Sequence, residues 1–314
     1  MSETLTCEKR DVTPGPRAIA IGAFDGVHLG HRVVVRAVVE AAARLGVPSA
    51  ALTFEPTPRQ YFARTEAGSQ RLTPDPERVA LLCGLGVQQV LVQSFDEELR
   101  GMTPERFVKE VLHEQLEARF VAIGASHTFG ANRAGNAERM AELGREAGVE
   151  VEIVPLVTVD GVTASSTSIR AALLHGDAAL AGKLLGRPYS LAGCVRHGQR
   201  LGVELGSPTA NIEVPPGKLL PAEGVYAAAA RPADEEAAMP AAVVVGPAPT
   251  LGVHESRVEA HLIDFEGDLY DRELVVGLLA RLREIKTFPD RDSLKRQIER
   301  DVAEARRIFQ EASG

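Results

Sequence analysis

The residues in this sequence whose types and spacing could do chemistry begin with two histidines three positions apart among glycines: Ile21-Gly22-Ala23-Phe24-Asp25-Gly26-Val27-His28-Leu29-Gly30-His31. Side chains at positions i and i+3 share one side of a helix start, so His28 and His31 would face the same ligand. A helix N-terminus offers free N–H groups to an anion, and Gly22, Gly26 and Gly30 permit close backbone approach, with Phe24 and Asp25 completing the turn. Two imidazoles beside a phosphate suit phosphoryl-group chemistry, in which charge builds on non-bridging oxygens and must be met by fixed donors. The bland alternative is a glycine-rich turn with two surface histidines. The whole string, in register after an apolar strand, weighs against it.

Such a turn needs a strand before it and a helix after it. Residues 18–21 form a short apolar run that predicts a buried parallel strand. Residues 32–45 are rich in Ala and Val and predict a helix stopped by Gly46. Further apolar runs predict strands at 50–54, 89–92, 119–124 and 150–154. Between them, Asp75 as cap with Pro76 in the first turn starts a helix to about residue 85, and Thr103-Pro104-Glu105 repeats the signal for a helix to about 116. A third helix spans 137–146. Alternating strands and helices mean a parallel sheet with helices on its faces, where ligands sit at the carboxyl ends of the strands.

Two further stretches of this half could meet a nucleotide. Gly124-Ala125-Ser126-His127-Thr128-Phe129-Gly130, with Asn132, Arg133 and Gly135 behind it, leaves the 119–124 strand. Ser165-Ser166-Thr167-Ser168-Ile169-Arg170 precedes a helical stretch at 171–174, and hydroxyls with an Arg at a helix start can hold the outer phosphates of ATP. The plainer reading of Ser165 is an N-cap.

A helical stretch at 177–185 ends at Gly186-Arg187-Pro188, after which the texture changes. Short candidate strands at 189–195, 225–230, 241–245, 257–263 and 273–279 suggest an antiparallel barrel or sandwich. An amphipathic helix at 293–309, capped by Asp292, closes the chain. The loop 197–211 holds Gly198, Arg200, Gly202 and Gly206, whose glycines can wrap phosphates through backbone N–H groups. Thr209 and Asn211 add oxygens of the kind Mg²⁺ prefers.

At 314 residues the chain is long enough for about two domains, which the change of texture places at 1–186 and 187–314. No apolar run reaches membrane-spanning length and the first residues lack the apolar core of a signal peptide. Cys7, Cys83 and Cys194 suggest neither a disulfide framework nor a zinc site, so a cytoplasmic protein is the simplest expectation. A net charge of −8 argues against a broad nucleic-acid surface. It leaves nucleotides open, since Mg²⁺ and a few local donors can hold them. Oligomeric state is left unspecified.

The string G-x-F-D-G-V-H-x-G-H resembles the H-x-G-H signature of nucleotidyltransferases in the form seen in bacterial FAD synthetases. The order continues with Thr53-Phe54-Glu55-Pro56, the Gly124–Gly130 loop and Ser165-Ser166-Thr167-Ser168-Ile169-Arg170. In the second half, Gly206-Ser207-Pro208-Thr209-Ala210-Asn211 is similar to the P-T-A-N signature of riboflavin kinases. Glu259-x-His261-Leu262 and Leu282-Arg283 with Phe288 match as well. The resemblance implies a Rossmann-like nucleotidyltransferase domain followed by an antiparallel riboflavin-kinase β-barrel with a C-terminal helix. It implies two activities: ATP-dependent phosphorylation of riboflavin to FMN, and transfer of AMP from ATP to FMN, giving FAD and pyrophosphate.

By that resemblance His28 and His31 stabilise the transferring phosphoryl group, while Ser166, Thr167 and Arg170 hold ATP phosphates. Glu259 is the base of the kinase, Thr209 and Asn211 take Mg²⁺ and ATP, Gly206 and Pro208 belong to the nucleotide loop, and Arg283 lies against the flavin. The chain departs from the family pattern at Glu55, Thr57, Ser126 and His127, where Asp, His and acidic or amide residues are usual, and at Ser207, where Phe is usual. Two alternatives stay open: a riboflavin kinase whose first domain is degenerate or redirected, and a non-catalytic flavin or nucleotide sensor.

Overall fold

The computed structural model describes residues 8–11, 15–65, 69–196, 209–248 and 253–313. Gly198, Arg200, Gly202, Gly206 and Pro208, expected to hold phosphates, lie outside these residues, as does Ser207. By contacts the chain divides into two compact units, Met1–Ser166 and Thr167–Gly314.

In the first unit, six strands pair in parallel: β1 (Glu8–Asp11), β2 (Arg17–Ile21), β3 (Ser49–Glu55), β4 (Gln89–Ser94), β5 (Ala118–Gly124) and β6 (Glu150–Val154). Their order across the sheet is β1-β4-β3-β2-β5-β6. Alternation along β2 feeds two apolar layers, as the period of a strand dictates. Ala18 and Ala20 join Val34, Val35 and Val38 of helix α1 (Leu29–Leu45) on one face. Ile19 and Ile21 join Phe107, Leu112 and Met140 on the other.

From β2 the chain moves outward through β3 to β4, then returns past β2 to lay down β5. The order therefore reverses between β2 and β5, the place where open α/β sheets form a ligand crevice. The segments leaving those two strands are the His28/His31 turn and the loop from Gly124 to Gly135. A two-stranded hairpin, β7 (Thr158–Val159) with β8 (Val162–Thr163), follows β6.

Helix α1 begins earlier than its apolar periodicity suggests, with His28 itself as N-cap, and ends at Gly46, whose φ of 66° is left-handed. The helix expected from Asp75 runs Glu77–Cys83 and is not capped by Asp75. That carboxylate instead accepts from Arg78 Nε at 3.0 Å, a charged partner that outcompetes a backbone N–H. Where the cysteine count suggests no disulfide framework, Cys83 is disulfide-bonded, and Cys194 is a free thiol.

The second unit is a closed antiparallel barrel of β9 (Tyr189–Arg196), β10 (Ala210–Glu213), β11 (Gly224–Pro232), β12 (Met239–Ala248), β13 (Val253–Leu262) and β14 (Glu273–Arg283), in the order β10-β13-β12-β11-β14-β9. The sequence reading leaves β10 inside a loop, because four residues are too few to display a period of two. Helix Ala178–Leu185 packs on β9 and β14, so the contact boundary precedes the division expected at residue 186. Helix Arg291–Ser313 lies on β11, β12 and β14, with Ala305 against Ala227 and Ala242. Its cap is Asp290, which accepts from Ser293 N at 2.6 Å; Asp292, the expected cap, stands one position inside the helix.

Candidate active sites

In the first unit the histidine turn is built by its own backbone. His28 has extended φ/ψ and its Nδ1 accepts from His31 N at 3.3 Å, so its side chain closes the first turn of α1. That bond places the proton of a neutral His28 on Nε2. The two imidazoles stack, centroids 3.6 Å apart and planes inclined by 20°, while Phe24 meets His31 edge-on at 5.1 Å. Gly30 makes the stack possible: a Cβ there would lie 3.2 Å from the His28 ring and from Ala164 O. His31 Nδ1 is buried without a partner. Burial first, and then the neighbouring His28, hold the His31 imidazole well below its usual pKa. With no acidic side chain in its first turn, α1 leaves this end open to an anion.

The turn is strained and heavily tied down. Phe24 (φ 50°) and Val27 (φ 40°) are left-handed without being glycine, beside Gly26 at φ 91°. Asp25 Oδ1 accepts from Leu72 N at 2.8 Å and Thr73 N at 3.1 Å, and Gly26 N donates to Thr73 Oγ1 at 2.8 Å. Ser166 Oγ donates to Asp25 O at 2.7 Å. Asp25 and Ser166, both expected at the nucleotide, are thus engaged as struts of the turn. Gly22 lies beneath the Phe24 ring. Of the remaining motif, Thr167 is exposed and Arg170 buried.

Sequence reasoning missed the segment 71–78 that supplies these struts. Asp75-Pro76 marks only a helix start there, and the density of charged residues, Arg71, Asp75 and Arg78, lies far along the chain from the histidine motif. The same segment accounts for one departure from the family pattern, Glu55, while another, Thr57, has a local structural role. Glu55 accepts from Arg71 Nη2 at 2.7 Å through each oxygen, and Thr57 caps the short helix Pro58–Tyr61. In the loop leaving β5, Ser126 is exposed, while His127 stacks on Phe129 with its Nε2 buried and unpartnered. Burial pushes His127 down to about 4.

In the barrel, strand register gathers the expected kinase residues. Asn211 of β10 stands directly opposite Glu259 of β13, and Thr209 Oγ1 donates to Glu259 Oε2 at 3.4 Å. The same transverse row continues through Val244 and Val225 to Arg283 of β14. Residues opposite one another share a face, so Asn211, Glu259 and Arg283 lie on one side of the sheet. Three strand spacings, about 14 Å, separate Glu259 from Arg283 across an apolar strip. Arg283 is pinned by Asp301 of the last helix, Nη2 to Oδ2 at 2.8 Å, and its guanidinium lies 5.5 Å from the Phe288 ring centroid.

The FAD synthetase family model matches residues 11–168 and the riboflavin kinase model residues 185–309. A bifunctional riboflavin kinase/FMN adenylyltransferase of Pseudomonas fluorescens is 38% identical over 92% of this chain and 91% of its own length. The chain belongs to the bifunctional FAD synthetase family. Two other members are similar over 93% of this chain and 92% of their own: that of Escherichia coli K12 at 35% identity and that of Bacillus subtilis at 31%. Among solved structures, one described as a macrolide-efflux protein from Streptococcus pneumoniae has the same fold. It matches 96% of this chain and 98% of its own at 29% identity, with a TM-score of 0.85. Among the described residues here, no helix is long and apolar enough to cross a membrane.

Proposed function

We propose that the chain makes FAD from riboflavin in two steps at two separate sites. The observation that carries the proposal is that each family match contains its own assembled constellation: the stacked His28/His31 turn in one unit, the Thr209/Asn211/Glu259 group in the other.

In the barrel, Glu259 takes the proton from the terminal hydroxyl of riboflavin as its oxygen bonds to the γ-phosphorus of ATP. The bond from that phosphorus to the β-bridging oxygen breaks, leaving FMN and ADP. Thr209 holds the Glu259 carboxylate in place. Val244, half-buried in the row between Glu259 and Arg283, offers an apolar contact for a flat ring. Among the described residues no group of three or more His, Cys, Asp or Glu could hold a metal ion. The hard oxygens of Thr209 and Asn211 nevertheless fit Mg²⁺ shared with ATP phosphates. When bound there, it would neutralise phosphate charge.

In the first unit an oxygen of the FMN phosphate bonds to the α-phosphorus of ATP and pyrophosphate leaves, with no covalent enzyme intermediate. His28 presents its Nε2 proton toward the charge that develops, and His31, kept neutral by burial, is held against it. Glu55 and Thr57 hold the neighbouring loop, which supports a working transferase half.

Two variants test the division of labour. His28→Ala should abolish FAD formation from FMN and leave FMN formation within about twofold of wild type. Glu259→Gln should do the reverse, lowering FMN formation by about 10²-fold or more. Equal loss of both reactions in either variant would refute it.

A further inference from the structure

The largest fully buried side chain among the described residues is a cation, Arg78. A guanidinium without solvent is costly unless its donors are met and its charge balanced. Here Nε donates to Asp75 Oδ1 at 3.0 Å and Nη2 to Glu55 Oε2 at 3.5 Å. Glu55 is shared with Arg71, also buried, whose Nε reaches Gln60 Oε1 at 2.7 Å. Two arginines and two carboxylates form a neutral cluster beneath the histidine turn. One donor of Arg78 leaves the cluster: Nη1 donates to Ala23 O at 2.9 Å. Thr53 Oγ1 donates to the same oxygen at 3.3 Å.

We propose that Arg78 is a positioning residue for adenylyl transfer, fixing the Ala23–Phe24 peptide so that the turn offers an N–H, not a carbonyl, to the phosphates of the nucleotide. The inference rests on the transferase reading of the first unit. A carbonyl oxygen has two acceptor sites, and Arg78 with Thr53 takes both. In a trans peptide the N–H points opposite to the C=O, so Ala23 O held inward turns the Phe24 N–H outward. Among the described residues that N–H donates to no protein acceptor. Phe24 at φ 50° is strained by about 1–2 kcal/mol. Rotation of the preceding peptide would relieve it, while turning a carbonyl toward a polyanion. Arg78 and Thr53 oppose that rotation.

The test is steady-state FAD formation by the full-length chain from supplied FMN with ATP varied, and FMN formation from riboflavin as internal reference. Arg78→Met is expected to raise the KM for ATP and to lower kcat/KM for ATP by at least about tenfold. The KM for FMN and the kinase rate should be unchanged. Arg78→Lys, which keeps a donor for Ala23 O, should recover most of the loss. Thr53→Val should shift the ATP KM in the same direction by a smaller factor.

If Arg78→Met only lowers kcat in proportion to its folded fraction, with ATP KM at the wild-type value, Arg78 is a packing residue and the proposal falls. Should Arg78→Met not fold, Thr53→Val decides: an unchanged ATP KM overturns the proposal. Wild-type protein that makes FMN but no FAD would overturn the transferase reading together with this one, a failure visible before any variant is made.

Discussion

His28 and His31 acquire their chemistry from what surrounds them. The H-x-G-H spacing was legible because all four positions lie within one helical turn, and Gly30 is the residue that leaves room for the stacked rings. The struts were not legible: Asp25 meets residues 47 and 48 positions away, and Ser166 reaches back 141. No local pattern records such pairs. Glu259 was found only through family resemblance, since a strand carboxylate has no periodic signature, whereas Thr209 and Asn211 stood out as hard oxygens behind a glycine-rich loop.

The buried imidazoles make stability depend on pH with a definite sign. His31 and His127 titrate below the usual value of about 6.5 when folded, so below that pH the unfolded chain binds protons that the folded state refuses. Stability is therefore lost as pH falls from about 6.5, by at most about 1.4 kcal/mol per pH unit for each ring. Urea unfolding followed by circular dichroism between pH 6.5 and 5 should show this fall, and it should be shallower in His127→Phe. An unchanged slope in the variant would contradict the assignment.

At the level of elements, what sequence predicted well were the strands and helices with several periods of their own, such as β3, β6 and helix Ala137–Glu146. Short or polar elements escaped it, as β10 and β1 did. The cap of the last helix was misassigned where two acidic residues compete: Asp290 precedes the helix and caps it, while Asp292 lies within its first turn. That helix is tied to the barrel by a largely buried ion pair, Arg283 with Asp301, whose side chains are 16% and 8% exposed, besides the more exposed pair Arg306 with Asp264. Asp301→Ala leaves the guanidinium without its carboxylate in a dry site. We expect a loss of about 3 kcal/mol, seen as a lower unfolding temperature, and partial recovery on adding Arg283→Met. If Asp301→Ala unfolds at the wild-type temperature, the pair does not hold the helix.

For the whole molecule, the change of texture after residue 186 revealed two architectures, a doubly wound parallel sheet and a closed barrel. Contacts assign the preceding helix, Ala178–Leu185, to the barrel because its partners β9 and β14 lie later in the chain. Two separate sites sharing one flavin in succession are the central claim, and a time course tests it directly. Purified protein is given riboflavin, ATP and Mg²⁺, and the flavins are separated chromatographically. The account predicts that FMN rises first and that FAD then grows at its expense. FMN accumulating without FAD, even when FMN is supplied directly with excess ATP, would contradict it.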